Sequence, residues 1–289
     1  MAKAQPKSSG ATVLEFDAEK IKANELAVAQ ETDESILSRL RERFEILNEM
    51  TKAVKAGNIR AMIVSGPPGV GKSYGVEEVL QKEDLFNTLA QRKPKYEVVK
   101  GAMSALGLYA KLYEFSEKGN VVVFDDCDSI LMEDLSLNIL KGALDSSEKR
   151  YISWNTDSRL LRSEGIPDRF EFKAAAVFIT NIKFEHVKSK RLKDHLDALE
   201  SRCHYIDLQM DTEREKMLRI KQIVADGMLD TYDFDEPEAI RDEIVQFIDN
   251  NKTKLRELSL RMVLKIADLK KSFPANWEAM ARTTCMRRL

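Results

Sequence analysis

Gly66-Pro67-Pro68-Gly69-Val70-Gly71-Lys72-Ser73 follows the apolar run Ala61-Met62-Ile63-Val64 and precedes a segment of helical period with Val76, Val79 and Leu80 on its inner face. Strand, glycine-rich loop and helix, in that order, form the context a phosphate-binding loop requires. Glycines at 66, 69 and 71 let backbone N–H groups turn inward around an anion, and the helix opening at Lys72 adds the positive end of its dipole. Lys72 is then expected to reach the outer phosphates of a nucleotide. Ser73 is expected to put its hydroxyl on Mg²⁺, which keeps most of its waters and takes few protein ligands. A mere glycine-rich turn with a surface lysine would leave both flanks unexplained.

Upstream, Ile36, Leu37, Leu40, Phe44, Leu47 and Met50 recur at three- and four-residue spacing, which predicts a helix from near Asp33, closed by Gly57-Asn58. Residues 1–31 carry isolated Val13, Leu14 and Phe16 in a polar background, too few apolar groups to offset chain entropy. They read as a mobile tail, whose short apolar patch has docking on a neighbouring subunit as its alternative use.

Downstream, a loop rich in Asn, Gln, Arg, Lys and Pro leads to a strand over Tyr96–Gly101 and a helix over Leu106–Phe115. The continuous run Asn120-Val121-Val122-Val123-Phe124 has the pattern of a strand buried on both faces, and it ends in Asp125-Asp126-Cys127-Asp128. The alternation predicts a parallel sheet, in which ligands sit at the carboxyl ends of strands. Asp125 is placed to hold the Mg²⁺ shell and Asp126 to polarise an attacking water. Capping of the following helix is the plainer use of these carboxylates, and Asp128 reads as a cap or a bridge. A helix over Leu135–Leu144 follows, and Arg150–Trp154 with Phe170–Phe172 suggests a hairpin. The buried run Ala174–Ile179 ends in Thr180-Asn181, where Asn181 is placed to orient water or simply to form a turn.

Lys183, Lys188, Lys190, Arg191 and Lys193 with His186 make a local basic run, read as a solvated helix face ahead of a nucleic-acid contact. Arg202, in Ser201-Arg202-Cys203, stands exposed where a helix turns into the strand reaching Leu208. An ion pair is its ordinary use, and stabilising phosphoryl charge in a neighbouring subunit its functional one. Cys203-His204 has no second such pair, so zinc is not expected. From Asp211 the pattern is wholly helical: Thr212 with Glu215 forms a capping box, Pro237 suits the first turn of a second helix, and Ser259 caps a third that Pro274 follows. Arg261 sits in that helix's first turn, where the dipole disfavours a cation, which hints at an anionic partner or else a surface ion pair.

The 289 residues are 43% hydrophobic and 33% charged with a formal net charge of −2, which allows a full core and argues against a wholly basic duplex binder. Three widely spaced cysteines suggest reduced thiols and a cytoplasmic location. No apolar run approaches the roughly 18 residues of a membrane span, and no signal-peptide core is expected.

Taken together, these motifs resemble the AAA+ family of P-loop ATPases over roughly residues 35–272. Gly66 to Ser73 is similar to its Walker A loop and Val121 to Asp126 to its Walker B strand; Asn181 resembles the first sensor and Arg261 the second, on a helical lid. Arg202 resembles the arginine finger of clamp-loader-like members. The resemblance implies an α/β fold, a three-layer P-loop NTPase core with a parallel sheet followed by a small all-helical lid, divided as a tail over 1–31, a core over 32–208 and a lid over 209–289. It implies an ATP hydrolase using ATP and Mg²⁺ at the interfaces of a homo-oligomeric ring, a hexamer, acting on a macromolecular partner that is protein or nucleic acid, with no membrane. Met103, Leu106, Leu108 and Tyr109, with either Trp154 or the loop over 156–168, are candidates for a central pore. Asp126 stands where the family usually has glutamate, one methylene longer, and a misplacement near 1 Å costs on the order of a hundredfold in rate. Slow hydrolysis follows from that departure unless the backbone compensates. The alternatives are a nucleotide-dependent loader or switch on DNA replication machinery, and a ring scaffold that does not hydrolyse.

Overall fold

A computed structural model describes residues 31–287; the segment carrying Val13, Leu14 and Phe16 lies outside the described residues. The described chain divides into two compact units, one of Glu42–Gln209 and one of the residues up to Arg41 together with those from Met210 on.

Helix α1 (Asp33–Lys55), whose residues from Glu42 on belong to the first of these, leads into β1 (Ala61–Ser65), and α2 (Lys72–Glu83) and a short α3 (Leu85–Leu89) follow the glycine-rich loop. Next come β2 (Tyr96–Lys100), α4 (Ala105–Glu114), β3 (Val121–Asp125), α5 (Asp128–Met132) and α6 (Asp134–Ala143). The pair β4 (Tyr151–Ser153) and β5 (Arg169–Glu171) encloses α7 (Arg159–Ser163), and β6 (Ala175–Thr180), α8 (Lys190–Glu200) and β7 (His204–Asp207) complete the unit. Five strands form a parallel sheet in the order β2-β3-β6-β1-β7, while β4 and β5 pair antiparallel apart from it. Chain order therefore crosses over at β1, whose carboxyl end lies between those of β6 and β7. Such a switch point is where open parallel sheets bind ligands.

The central strands β1, β3 and β6 are buried along their whole length. Ala61, Ile63, Val122, Phe124, Ala176 and Phe178 cluster with residues of α4, α6 and α8. The alternate residues Met62, Val64, Val121, Val123, Val177 and Ile179 point to the other face and are no less buried, so both faces of the sheet are covered. Phe124 and Phe178 sit opposite each other in the register and stack with ring centroids 5.4 Å apart. Leu108 and Tyr109, read as pore candidates, are instead fully buried. The Tyr109 hydroxyl donates to Pro167 O at 2.8 Å, and its ring meets those of Trp154 and Phe170. They hold the β4–β5 hairpin onto α4, a packing role that residue type alone does not reveal.

Asp84 joins α2 to α3 and is 1% exposed, accepting hydrogen bonds from Lys55 Nζ at 2.7 Å, Asn87 Nδ2 at 2.9 Å and the Lys95 N–H at 3.1 Å. Burial pushes its carboxyl up, but the bonds from Lys55, Asn87 and Lys95 outweigh it and leave the pKa below its ordinary value. Removing one partner of a buried pair leaves the other charge uncompensated, so Asp84→Ala is expected to lose about 3–5 kcal/mol of stability at pH 7. Because the folded pKa is the lower one, this contribution is present above the unfolded value near 3.9 and disappears as pH falls through the folded value. Thermal denaturation of wild type and variant at pH 7 and below pH 4 checks it: the gap should close in acid.

The second unit is all helical after Met210: α9 (Glu213–Ala225), α10 (Pro237–Asn251), α11 (Leu260–Ser272) and α12 (Trp277–Cys285). Thr212 and Glu215 form the capping box of α9, and Ser259 accepts from the Met262 N–H at the start of α11. Its core is Met217, Ile220, Ile244, Phe247, Val263 and Trp277 with their neighbours. The fold is thus α/β, a parallel five-stranded sheet with helices and a helical C-terminal region.

Candidate functional site

The glycine-rich loop spans the end of β1 and the start of α2. Gly71 adopts φ 101°, a conformation open to glycine, and forms the boundary of α2. Gly66 needs glycine for another reason: a Cβ there would meet Leu208 O at 3.0 Å and Leu208 Cβ at 3.1 Å, where the chain leaves β7. Gly66→Ala is expected to destabilise the unit by about 1–3 kcal/mol through this overpacking. Chemical denaturation measures the loss.

Lys72 is buried at 6% exposure, and its ammonium donates to Gly66 O at 2.7 Å, Pro67 O at 2.9 Å and Asn181 Oδ1 at 2.8 Å. Asn181 extends from the carboxyl end of β6 and passes the connection on, its Nδ2 donating to Asp126 Oδ1 at 2.8 Å. Ser73 Oγ donates to Asp125 Oδ1 at 2.8 Å. The ends of β1, β3 and β6 therefore bring together Lys72, Ser73, Asp125, Asp126 and Asn181, residues up to 109 positions apart, through two short hydrogen-bonded chains.

Asp125 is 4% exposed; burial raises its pKa, with the Asp126 charge adding to this while the Ser73 hydrogen bond and the Lys100 and Lys72 charges oppose it. Lys100 Nζ lies 3.8 Å from Asp125 Oδ2. Lys100 is Asp125's register partner at the end of the strand beside β3, a placement that only the strand pairing reveals. Asp126 is exposed and left-handed, with φ 53°, and its N–H donates to Ile179 O at 3.0 Å. Asp and Asn tolerate that backbone region better than longer side chains, which is a local reason for aspartate here. Asp128 accepts from Thr180 Oγ1 at 2.8 Å and so acts as a bridge at the start of α5. Cys127 is buried, and burial together with Asp125 and Asp128 pushes its thiol up to about 11.

Arg202 stands elsewhere in the same unit. It is exposed in the turn between α8 and β7, donates to Ala198 O, and lines an open cleft of about 520 Å³ with Arg60, His204, Asn58 and Asp145. Met62 pairs with His204 in the parallel register, so Arg202 is level with the residues entering β1, whereas Gly66 leaves it. At about 3.3 Å per residue this separates Arg202 from its own loop by roughly 20 Å along the strands. Arg60 holds the rim of that cleft, its guanidinium donating to the carbonyls of Asp145, Ser146 and Ser147. In the basic run, Lys188, Lys190, Arg191 and Lys193 are exposed, and Arg191 pairs with Asp134. In the helical unit, Arg261 is exposed in the first turn of α11 and forms no ion pair among the described residues.

Sheet order, glycine-rich loop and the strand-end carboxylates define an α/β protein of P-loop architecture. No protein-family model matches the chain. It is 33% identical over 255 residues, 87% of its own length and 76% of the other's, to the uncharacterized 36.7 kDa protein in the nrdC-mobD intergenic region of enterobacteria phage T4, and it belongs to the family of that phage protein. Among solved structures, the replication initiator DnaA bound to AMPPCP and single-stranded DNA is similar over 83% of this chain and 63% of that one, at 12% identity and a TM-score of 0.43. Domain III of the Thermotoga maritima replication initiation protein DnaA is similar over 85% and 91%, at 13% identity and a TM-score of 0.45. NtrX from Brucella abortus in complex with ATP is similar over 99% and 62%, at 11% identity and a TM-score of 0.48. The chain spans less than two thirds of the first and last of these. Likeness of this degree assigns no activity. No described helix is long and apolar enough to cross a membrane.

Proposed function

We propose that this chain is an AAA+ ATPase that binds Mg-ATP on the loop Gly66–Ser73 and hydrolyses it at the interfaces of a homo-oligomeric ring, driving the remodelling or translocation of a macromolecular partner. One observation carries the reading: the hydrogen-bonded pair Ser73–Asp125 and the chain Lys72–Asn181–Asp126 converge at the carboxyl ends of adjacent parallel strands. The loop N–H groups and the Lys72 ammonium bind and orient the phosphates. Ser73 and Asp125 offer a hydroxyl and a carboxylate, hard oxygen donors few in number, which suits Mg²⁺. Bound there, Mg²⁺ would neutralise phosphate charge. Asp126 accepts the proton of the attacking water, and Asn181, bonded to both Lys72 and Asp126, sets where that carboxylate sits. Pro67, Pro68 and Val70 complete the loop, with Val70 buried beneath it. Arg202, one strand length away from this loop, serves the nucleotide of a neighbouring subunit, and Arg261 is the cation of the helical unit that senses phosphate.

Isothermal titration with ATP checks the binding half. Wild type is expected to bind more tightly with Mg²⁺ than with EDTA, and Ser73→Ala, which removes one cation ligand and its bond to Asp125, to lose about tenfold in Mg²⁺-dependent affinity. Equal affinities with and without Mg²⁺ in wild type would contradict the assignment.

A second reading, a ring that nucleotide holds together with little turnover, is favoured by Asp126 itself: a carboxylate shorter than the family's, on a left-handed backbone and already bonded to Asn181. Turnover in wild type indistinguishable from Asp126→Asn would select it.

A further inference from the structure

Helix α3 is inverted with respect to a surface helix. Its flanking Asp84 is buried and Asn87 turns in to bond that carboxylate, while Leu85, Phe86 and Leu89 are 52%, 71% and 74% exposed. No residue of α3 is buried. Three large apolar side chains on one five-residue helix are more than the scattered exposed leucines any surface carries, and contiguous apolar surface of this kind marks contact sites. The helix is also held firmly, because Asp84 is tied at once to Lys55, Asn87 and the Lys95 N–H. The rim is basic: the following stretch reads Arg92-Lys93-Pro94-Lys95, and the Arg92 guanidinium lies 5.9 Å from the centre of the Phe86 ring.

The sequence outside residues 31–287 contains a complement to this surface. Val13-Leu14-Glu15-Phe16-Asp17 places three apolar residues among acids, with Glu19 close behind. The apolar groups match Leu85, Phe86 and Leu89, and Glu15, Asp17 and Glu19 are opposite in charge to Arg92, Lys93 and Lys95, of which Lys93 also pairs with Glu114 of its own chain. Phe16 precedes Glu31 by fifteen residues, and a chain of that length spans up to about 50 Å when extended, enough to reach another molecule. We infer that the segment Val13–Asp17 of one copy docks on the Leu85–Phe86–Leu89 face of a second copy. Every copy then gives one segment and receives one, a head-to-tail pairing that closes into a ring or runs on as a filament. This contact uses neither the glycine-rich loop nor Arg202, so it provides for self-association independently of nucleotide.

Photo-crosslinking tests it in the full chain. A chain with Leu89→benzoylphenylalanine is mixed with ¹⁵N-labelled chain and irradiated, and the joined peptides are read by mass spectrometry. The expected product joins the α3 peptide to a labelled peptide containing Leu14 and Phe16. Exclusive joining within one molecule, joining to other segments, or no joining overturns the proposal. Arg92→Glu with Lys93→Glu in the photo-reactive chain should lower the yield about tenfold, and Glu15→Lys with Asp17→Lys in the labelled chain should restore it. An unchanged yield in the first case, or no restoration in the second, also overturns it. Repeated with Lys72→Ala in both chains and no nucleotide, the yield should stay the same, so failure of the nucleotide reading and failure of this one are separately visible.

Discussion

Arg202→Ala is expected to lower ATP turnover by about a thousandfold, at the lower end of what an arginine supplied to a phosphoryl group contributes. Nucleotide affinity should stay within about threefold, because Arg202 is level with the residues entering β1 and the loop lies at the strand's other end. The side chain is exposed and donates to Ala198 O within its own helix turn, so folding should change by no more than about 0.5 kcal/mol. A lost turnover with intact binding and stability is the pattern of a residue that acts on another subunit's nucleotide. Steady-state kinetics beside nucleotide titration and thermal denaturation separate the three quantities. A fall in affinity equal to the fall in turnover would place Arg202 in its own subunit's site.

Lys72→Ala should act on binding first. Its ammonium is buried and donates to two loop carbonyls and to Asn181, so it sits where phosphate oxygens would compete for the same protons. A charge-assisted hydrogen bond contributes about 1.5–3 kcal/mol, so the dissociation constant for ATP should rise on the order of a hundredfold. The same substitution frees Asn181 Oδ1, and with it the orientation of Asp126, so turnover at saturating ATP should fall as well. A dissociation constant within threefold of wild type would remove the loop from the binding site.

Much of the core was legible because its strands are buried on both faces and read as unbroken apolar runs, as in Val121–Phe124 and Ala175–Ile179. Period failed where apolar residues face solvent. Leu85–Leu89 reads from sequence as part of a polar loop, since a helix whose leucines point outward has no inward stripe to detect. Trp277–Cys285 follows Pro274, which reads as the end of the helical pattern, and Tyr109 reads as a pore candidate although it belongs to the core. Asp125 and Asn181 could be proposed as neighbours of Lys72 from their places at strand ends alone. The left-handed backbone of Asp126 and the bonding of Asn181 to both Lys72 and Asp126 depend on how three strands align, which no local pattern encodes.

The shared site is tested most directly by mixing Lys72→Ala chains with Arg202→Ala chains and following ATPase rate against their ratio. Each variant alone should be nearly inactive. In a randomly mixed ring about one interface in four joins an intact loop to an intact arginine, so an equal mixture should recover up to about a quarter of the wild-type rate. Recovery that peaks near equal proportions is the predicted result. A rate that stays at the level of the separate variants at every ratio, while the two chains co-assemble, would contradict it.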